Sequence, residues 1–198
     1  MISDKLNILF EFDKIEVFKE NEDFGFWIKA GLSKRAGFYI LFTEGLSTNL
    51  QKVDEKNEKL ERIELYFLLP DYWDFSKKPW PIEWLNKIAQ IPQKNKTWFG
   101  IGDTISANTG ASGVDEQLAC NHFILSESLL TDSKLSGSEW EKESIKLLAV
   151  IPIFQKEFDF KNQNSATVLF SIFRKNKVSE MIDIYRTPKA RKKIMGLF

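Results

Sequence analysis

Short apolar runs separated by turn residues dominate the chain and predict a β-rich core. The runs contain many aromatic and β-branched residues, a composition typical of strands. Runs 62–70 and 145–154 are largely apolar on both alternating faces, which predicts buried strands, and we place 62–70 at the centre of a sheet. The predicted strands span residues 24–31, 37–45, 62–70, 97–101, 120–126, 145–154 and 179–186.

Two further segments repeat their apolar residues with helical spacing. The first begins at Pro81, which suits the first turn of a helix, and we expect Pro92 to end it by forcing Ile91 out of helical geometry. The second has Ser165 in the position of an N-cap. The predicted apolar faces comprise Ile82, Leu85, Ile88 and Ala89 in the first helix, and Val168, Leu169, Ile172 and Phe173 in the second.

Strands and helices do not alternate regularly along the chain, which favours the α+β class. We expect a mixed, largely antiparallel β-sheet core flanked by a few helices. No Pro/Gly-rich linker or internal repeat divides the sequence, and 198 residues suit one domain. We therefore expect a single domain over residues 1–198.

Charge and cysteine content narrow the function classes. The 28 Lys and Arg residues balance 28 Asp and Glu residues, so we expect neither nucleic-acid nor membrane binding, and we interpret the basic segment 187–198 as a solvated tail. Cys120 is the one cysteine, which excludes an internal disulfide and fits a reducing compartment. The apolar runs are far shorter than the about 20 residues of a membrane span. Because no signal peptide is recognisable either, we expect a cytoplasmic protein.

The stretch "WFGIGDTISANTG" (98–110) is the main candidate for chemistry. It lacks the Gly-Lys-Ser/Thr of a phosphate loop and the full glycine pattern of a dinucleotide site. His122 is the one histidine, so a catalytic triad or zinc site has too few partners, and we expect no metal or cofactor. Asp103 suits a turn in which its side chain bonds to the backbone two residues on. Paired with Asp71 or Glu64, it could instead serve a glycosidase or small hydrolase.

Five segments, in order, resemble motifs of the suppressor of fused domain family. They match the family's Gly-Leu-Ser turn, its Glu-Leu strand ending in Leu-Pro, its Trp-Pro helix, its Gly-Asp/His-Thr-Ile loop and its Ile-Pro-Ile strand. The similarity extends over residues 37–186, most of the chain. The segments are "FTEGLST", "RIELYFLLPDYW", "WPIEWLNKIAQIP", "WFGIGDTIS" and "LLAVIPIFQKEF". The residues that carry these motifs are Gly45, Leu46, Ser47, Glu64, Leu65, Pro70, Trp73, Trp80, Pro81, Gly102, Ile105 and Pro152.

The resemblance implies a compact α+β domain with no known catalytic activity that binds a protein partner. Animal members restrain zinc-finger transcription factors by clasping a short peptide as an added strand between two domains. Bacterial members are usually single domains and are often found, or proposed, as immunity proteins that neutralise a toxin. We expect the bacterial, single-domain type, and the two-domain clamp is not carried over. The oligomeric state stays open.

The resemblance also implies a set of partner-binding residues. Asp103 takes the place of an aspartate that lies at the peptide groove of the animal proteins, and Thr104 matches the bacterial form of the same loop. Ile91 replaces a tyrosine near the end of the preceding helix, so its hydroxyl is lost. With Trp98, these are the candidate partner contacts.

Overall fold

The protein is built on one seven-stranded sheet with the strand order β1-β2-β3-β4-β7-β6-β5. A computed structural model describes residues 1–107, 114, 118–129, 134–135 and 145–190. The strands are β1 (Lys14–Asn21), β2 (Phe26–Ser33), β3 (Phe38–Glu44), β4 (Ile63–Pro70), β5 (Thr104–Ser106), β6 (His122–Ser126) and β7 (Lys146–Ile153).

The sheet is mixed but mostly antiparallel, as the sequence predicts. Neighbouring strands pair antiparallel except β4 and β7, which run parallel with Ile63 opposite Lys146. β4 is the middle strand, and its residues are buried from Ile63 to Leu69. The prediction of a central strand with two covered faces is therefore confirmed.

Helices cover both faces of the sheet. They are α1 (Ile2–Phe10), α2 (Trp80–Ala89), α3 (Ile91–Asn95), α4 (Gln155–Gln163) and α5 (Ala166–Lys175). One core layer packs α2 against the sheet side that carries Leu41, Leu65 and Phe67. The other packs α1 and α5 against the side that carries Phe42 and Tyr66. None of the helices in the described ranges is long and apolar enough to cross a membrane.

Two predicted strands are wrong because their backbone is held by tertiary contacts and not by a ladder. Residues 97–101 form no strand; the Phe99 N–H donates to Gln51 Oε1 (2.8 Å), and Gln51 Nε2 donates to the Phe99 carbonyl (3.1 Å). Within 179–186, only Met181 pairs with the sheet, in a single bridge to Leu68. Apolar and aromatic residues thus occur in both segments although neither forms a strand.

The helix predictions need smaller corrections. α2 ends at Ala89, but Pro92 does not push Ile91 out of helical geometry, because α3 begins at Ile91 and places Pro92 in its first turn. Ser165 caps α5 as predicted and accepts from the Val168 N–H (3.2 Å). The buried residues of that helix are Leu169, Phe170 and Phe173, whereas Val168 is exposed. Of the segment 187–198, predicted to be a solvated tail, the described part is held to the fold: the Lys189 N–H donates to Glu157 and Ala190 is buried. Residues 191–198 lie outside the described residues.

A buried ion pair fastens the end of the described chain to the sheet. The two Arg186 guanidinium nitrogens donate to the Glu157 carboxylate at 2.6 and 2.9 Å, and Nη2 also donates to the Pro152 carbonyl (2.8 Å). Glu157 accepts further bonds from the backbone N–H groups of Phe154 (3.1 Å) and Lys189 (3.0 Å). The pair therefore joins β7, α4 and the 186–189 segment, and each buried charge has several partners.

We expect Arg186→Met to lower the free energy of unfolding by about 3–5 kcal/mol, because it leaves the Glu157 carboxylate buried without its counterion. The double variant Glu157→Gln/Arg186→Met should recover part of that loss. Urea unfolding at neutral pH measures both.

Arg35→Met is the matched control. The Arg35 Nη1 also donates to both oxygens of a carboxylate, that of Glu11 (2.8 and 2.7 Å), but both side chains are largely exposed. This control should lose no more than about 1 kcal/mol. Equal losses for Arg35→Met and Arg186→Met would contradict the structural role of the buried pair.

Candidate functional site

Glu64 on β4 organises the Gly-Leu-Ser turn that follows β3. Its Oε1 accepts from the N–H groups of Gly45 and Ser47, both at 3.0 Å, and from the Ser47 hydroxyl (2.8 Å). Its Oε2 accepts from the Thr43 hydroxyl (2.6 Å). Gly45 has φ +103°, and a Cβ there would lie 2.8 Å from the Gly25 carbonyl oxygen, so only glycine fits the turn. The buried carboxyl group of one motif residue, Glu64, thus binds two others, Gly45 and Ser47.

Burial raises the pKa of the Glu64 carboxyl from 4.5 to about 7, although the bonds from Thr43, Ser47 and Gly45 act in the opposite direction. A raised pKa inside a fold can indicate a catalytic acid. Here, however, both carboxyl oxygens are engaged by the turn and by β3. The arrangement indicates a structural group.

The remaining motif residues also support the fold. The Trp73 and Trp80 rings meet edge to face at 5.8 Å, and Trp73 Nε1 donates to the Lys78 carbonyl (3.1 Å). Pro81 lies in the first turn of α2, and Pro70 is the last residue of β4. Leu46 and Leu65 are buried, and Ile105 packs against the same core as α2. The family motifs are therefore chiefly packing and turn residues.

Asp103 closes the turn that leads into β5. Its Oδ2 accepts from the Gly100 N–H (2.7 Å), and its own N–H donates to the Gly100 carbonyl (3.2 Å). The side chain thus bonds to the backbone three residues earlier, and not two residues on as predicted. Gly102 has φ +91°, and a Cβ there would lie 2.6 Å from Ala166 Cβ, so this turn also requires glycine.

The Asp103 side chain is nevertheless accessible. The residue is exposed, and its carboxylate hydrogen bonds within the described residues use Oδ2. Asp103 therefore combines a turn bond with an exposed charge, and the two hypotheses for this residue are compatible.

β5 forms one end of the sheet and pairs with β6. The Asp103 carbonyl accepts from the Leu125 N–H (2.9 Å), and the Ala107 N–H donates to the Asn121 carbonyl (2.9 Å). Because antiparallel strands alternate the direction of their backbone groups, those of Ile105 also face β6 and those of Thr104 face away from it. An edge with outward backbone groups can accept an added strand.

The other candidate contacts lie at different depths around this loop. The Trp98 ring packs over Gly100, the residue that donates to Asp103. Thr104 Oγ1 accepts from Lys161 Nζ of α4 (3.5 Å). Ile91 and Trp98 are half-buried against the core of the α2 side. Trp98, Asp103 and Thr104 therefore lie together at this loop, whereas Ile91 lies on α3.

The described residues contain no group of three or more His, Cys, Asp or Glu side chains that could hold a metal ion. His122 is buried; its Nε2 lies 2.8 Å from Gln155 Oε1, and its ring stacks on Phe158 at 4.0 Å. Burial raises the pKa of the Cys120 thiol to about 12, which makes it a poor nucleophile. His122 and Cys120 are thus buried side chains whose contacts indicate a structural role.

Sequence reasoning missed one residue that positions the site, Gln51, and one that fastens the end of the described chain, Glu157. Gln51 holds the backbone of Phe99 just before the loop, and it comes from a polar segment that shows no pattern. Glu157 was visible only as an acidic residue near a helix start, and its buried partner Arg186 follows 29 residues later. Neither role has a local sequence signal, because each depends on a contact distant in sequence.

We expect the wild type to lose stability relative to Glu64→Gln as the pH rises from about 4.5 to about 7. In this window the unfolded chain ionises at Glu64 while the folded protein keeps its proton. The stabilising contribution is thus fully present below pH 4.5 and is lost as the pH passes the folded pKa. Glutamine keeps an oxygen acceptor for Gly45 and Ser47 but does not titrate.

The measurement is urea unfolding of both proteins across this range. Parallel stability curves would show that Glu64 does not titrate with a raised pKa. Glu64→Leu, which removes the acceptor altogether, should be less stable than either protein at every pH because buried donors lose their partner.

The family model described as suppressor of fused protein (SUFU) matches residues 25–187, most of the chain, and so begins before the first motif recognised in the sequence. Neither the curated proteins nor the solved structures gave a match. The matched range includes the Glu64 turn, the Asp103 loop and the Glu157–Arg186 pair. The chain therefore belongs to the suppressor of fused protein family.

Proposed function

We propose that this protein is a non-catalytic protein-binding domain whose partner adds as a strand to the β5 edge beside Asp103. Membership of a family that binds protein partners supports the general role. The observation that carries the specific proposal is the position of Asp103. It is an exposed carboxylate at the start of an edge strand, where an incoming backbone and a positively charged or hydrogen-bonding side chain meet it together.

The partner we propose is a protein toxin or a regulatory protein that this domain neutralises in the cytoplasm of a bacterium. The resemblance to bacterial single-domain members supports this choice. So does the balanced charge of the chain, which offers a nucleic acid no general attraction. The single cysteine is buried and fits a reducing compartment.

A hydrolase or glycosidase built on Asp103 has less support. Such an enzyme needs a second carboxyl group facing the same space. Glu64 uses both of its oxygens in the Gly-Leu-Ser turn, and Asp71 is exposed after β4. No observation specifically favours this alternative, and we do not propose it.

Asp103→Asn is the sharpest test of the proposed contact. The amide oxygen can still accept from the Gly100 N–H, so the turn and the free energy of unfolding should stay within about 0.5 kcal/mol of the wild type. Partner binding should weaken roughly ten- to hundred-fold, because a charge-assisted bond is lost. Asp103→Arg should abolish binding and also cost about 1 kcal/mol of stability through the lost turn bond. Affinity capture from the native host, followed by titration of the captured protein, measures binding.

Asp183→Asn is the matched control, because Asp183 is also exposed and its Oδ1 accepts from the Tyr185 N–H (2.9 Å). It should leave binding unchanged. Capture of no protein partner from a host that contains a cognate toxin would count against the binding function. Full affinity in Asp103→Asn would remove Asp103 from the contact but leave the binding function standing.

A further inference from the structure

An open groove lies beside β1, at the end of the sheet opposite β5. It has a volume of about 460 Å³, which is in the usual range for ligand sites. Strands β1 and β3, the segment after β4 and helix α2 contribute its walls. The lining residues are Glu16, Phe18, Tyr39, Trp73, Asp74, Phe75, Ser76 and Ile82.

Aromatic rings form the walls of this groove at different angles. Phe75 lies between Phe18, at 4.7 Å and an interplanar angle of 48°, and Tyr39, at 5.4 Å and 80°. All three are half-buried, so their inner sides pack on the core of the α2 side while part of each ring stays accessible. A set of inclined, partly open rings presents several negative ring faces to one space.

Two carboxylates line the same space. Glu16 pairs with Lys14 (3.0 Å) and Asp74 with Lys77 (3.1 Å). The lysine side chains are 60% and 81% exposed, against 33% and 45% for the carboxylates, and neither lysine lines the groove. Hydrogen bonds from Ser76 and Lys77 lower the pKa of Asp74 to about 2, so it is charged at neutral pH. Exposed ion pairs of this kind are weak and can be exchanged for a ligand cation.

The pKa of the Tyr39 hydroxyl also reflects negative charge in the groove. Burial is the main cause that raises the pKa of its hydroxyl, and the negative charges of Glu16 and Asp71 raise it further, against an opposing contribution from Lys14. An anionic ligand would be repelled here. A neutral apolar ligand would remove water from the Glu16 and Asp74 carboxylates without adding a hydrogen-bond donor, which is costly.

We propose that this groove binds the guanidinium group of an arginine in a protein partner, stacked on Phe18, Tyr39 or Phe75 and paired with Glu16 and Asp74. Arginine fits better than lysine because its planar group stacks on rings and pairs with carboxylates through several donors. A protein segment is the source we favour, because the groove lies beside an edge strand. The site is separate from β5 and does not depend on the function proposed there.

The full chain can be tested with N-acetyl-arginine amide as the probe and N-acetyl-citrulline amide as its neutral counterpart. We expect arginine amide to shift the Trp73 indole N–H resonance with saturation in the millimolar range, on the order expected for one side chain. Citrulline amide should give at most a small shift. Free arginine distinguishes an amino-acid ligand from a protein segment and should bind no more tightly than the capped amide, because its α-ammonium and α-carboxylate bring opposite charges to the same place.

Phe75→Leu and Glu16→Gln should each weaken the binding of arginine amide by roughly three- to ten-fold. Tyr72→Leu is the matched control, since Tyr72 belongs to the same segment, is 76% exposed and does not line the groove. It should keep wild-type affinity. Thermal unfolding checks that each variant folds, and Glu16→Gln keeps the size of the side chain while removing its charge.

Equal binding of the arginine and citrulline amides would overturn the proposal, as would the absence of any saturable shift. Tighter binding of free arginine than of the capped amide would contradict a protein source. None of these results bears on partner binding at Asp103, so the two sites can fail independently.

Discussion

An ionisable carboxyl group can be buried only where donors surround it, and this constraint organises the whole molecule. Buried carboxyl groups each take their donors from segments distant in sequence. Glu44 binds Ser3 of α1 and Lys29, and Glu64 holds the turn after β3. Glu180 accepts from Ser128, from the Leu129 N–H (3.0 Å) and from the Tyr66 hydroxyl (3.3 Å). Together with Glu157, they add hydrogen bonds and ion pairs that fix loops and chain ends to a sheet against which the same segments also bury apolar residues.

This arrangement separates the interior from the surfaces available to partners. The interior of the sheet, around β4 and β7, is covered on both faces and supplies rigidity. Among the strands that the structure describes, β1 and β5 lie at the two ends of the sheet, and each pairs with a neighbouring strand on one side. Each end adjoins accessible carboxylates: the half-buried Glu16 and the exposed Asp74 at β1, and the exposed Asp103 at β5. The surroundings differ, since aromatic rings accompany the first end and a tight glycine turn the second.

The sequence was most informative where packing follows a local pattern. Strands β2, β3, β4, β6 and β7 and helices α2 and α5 carry the expected spacing of apolar residues. β1 was missed because an edge strand alternates charges with exposed apolar residues such as Ile15 and Val17. α1 lacks a side-chain cap, and the three residues of β5 are too few to form a pattern. Residues 97–101 resemble a strand, yet Gln51 satisfies their backbone, which no local rule reveals.

The site itself was only partly predictable. Glycine and aspartate in the 98–110 stretch correctly indicated a turn, because their conformational and hydrogen-bonding properties are local. The exposure of Asp103 and the edge position of β5 depend on the order of strands in the sheet, and no local sequence pattern reveals that order. The engagement of both Glu64 oxygens likewise needs the three-dimensional contact, and it is this contact that weakens the case for a paired-carboxylate enzyme.

Strand addition at β5 can be tested directly by comparing partner binding of Thr104→Pro and Ile105→Pro, with folding measured on each variant. The Thr104 N–H faces away from β6, so proline there should leave the sheet intact but abolish binding by blocking an added strand. The Ile105 N–H faces β6, so proline there should destabilise the β5–β6 pair. A folded Thr104→Pro variant that binds its partner with wild-type affinity would contradict strand addition at this edge.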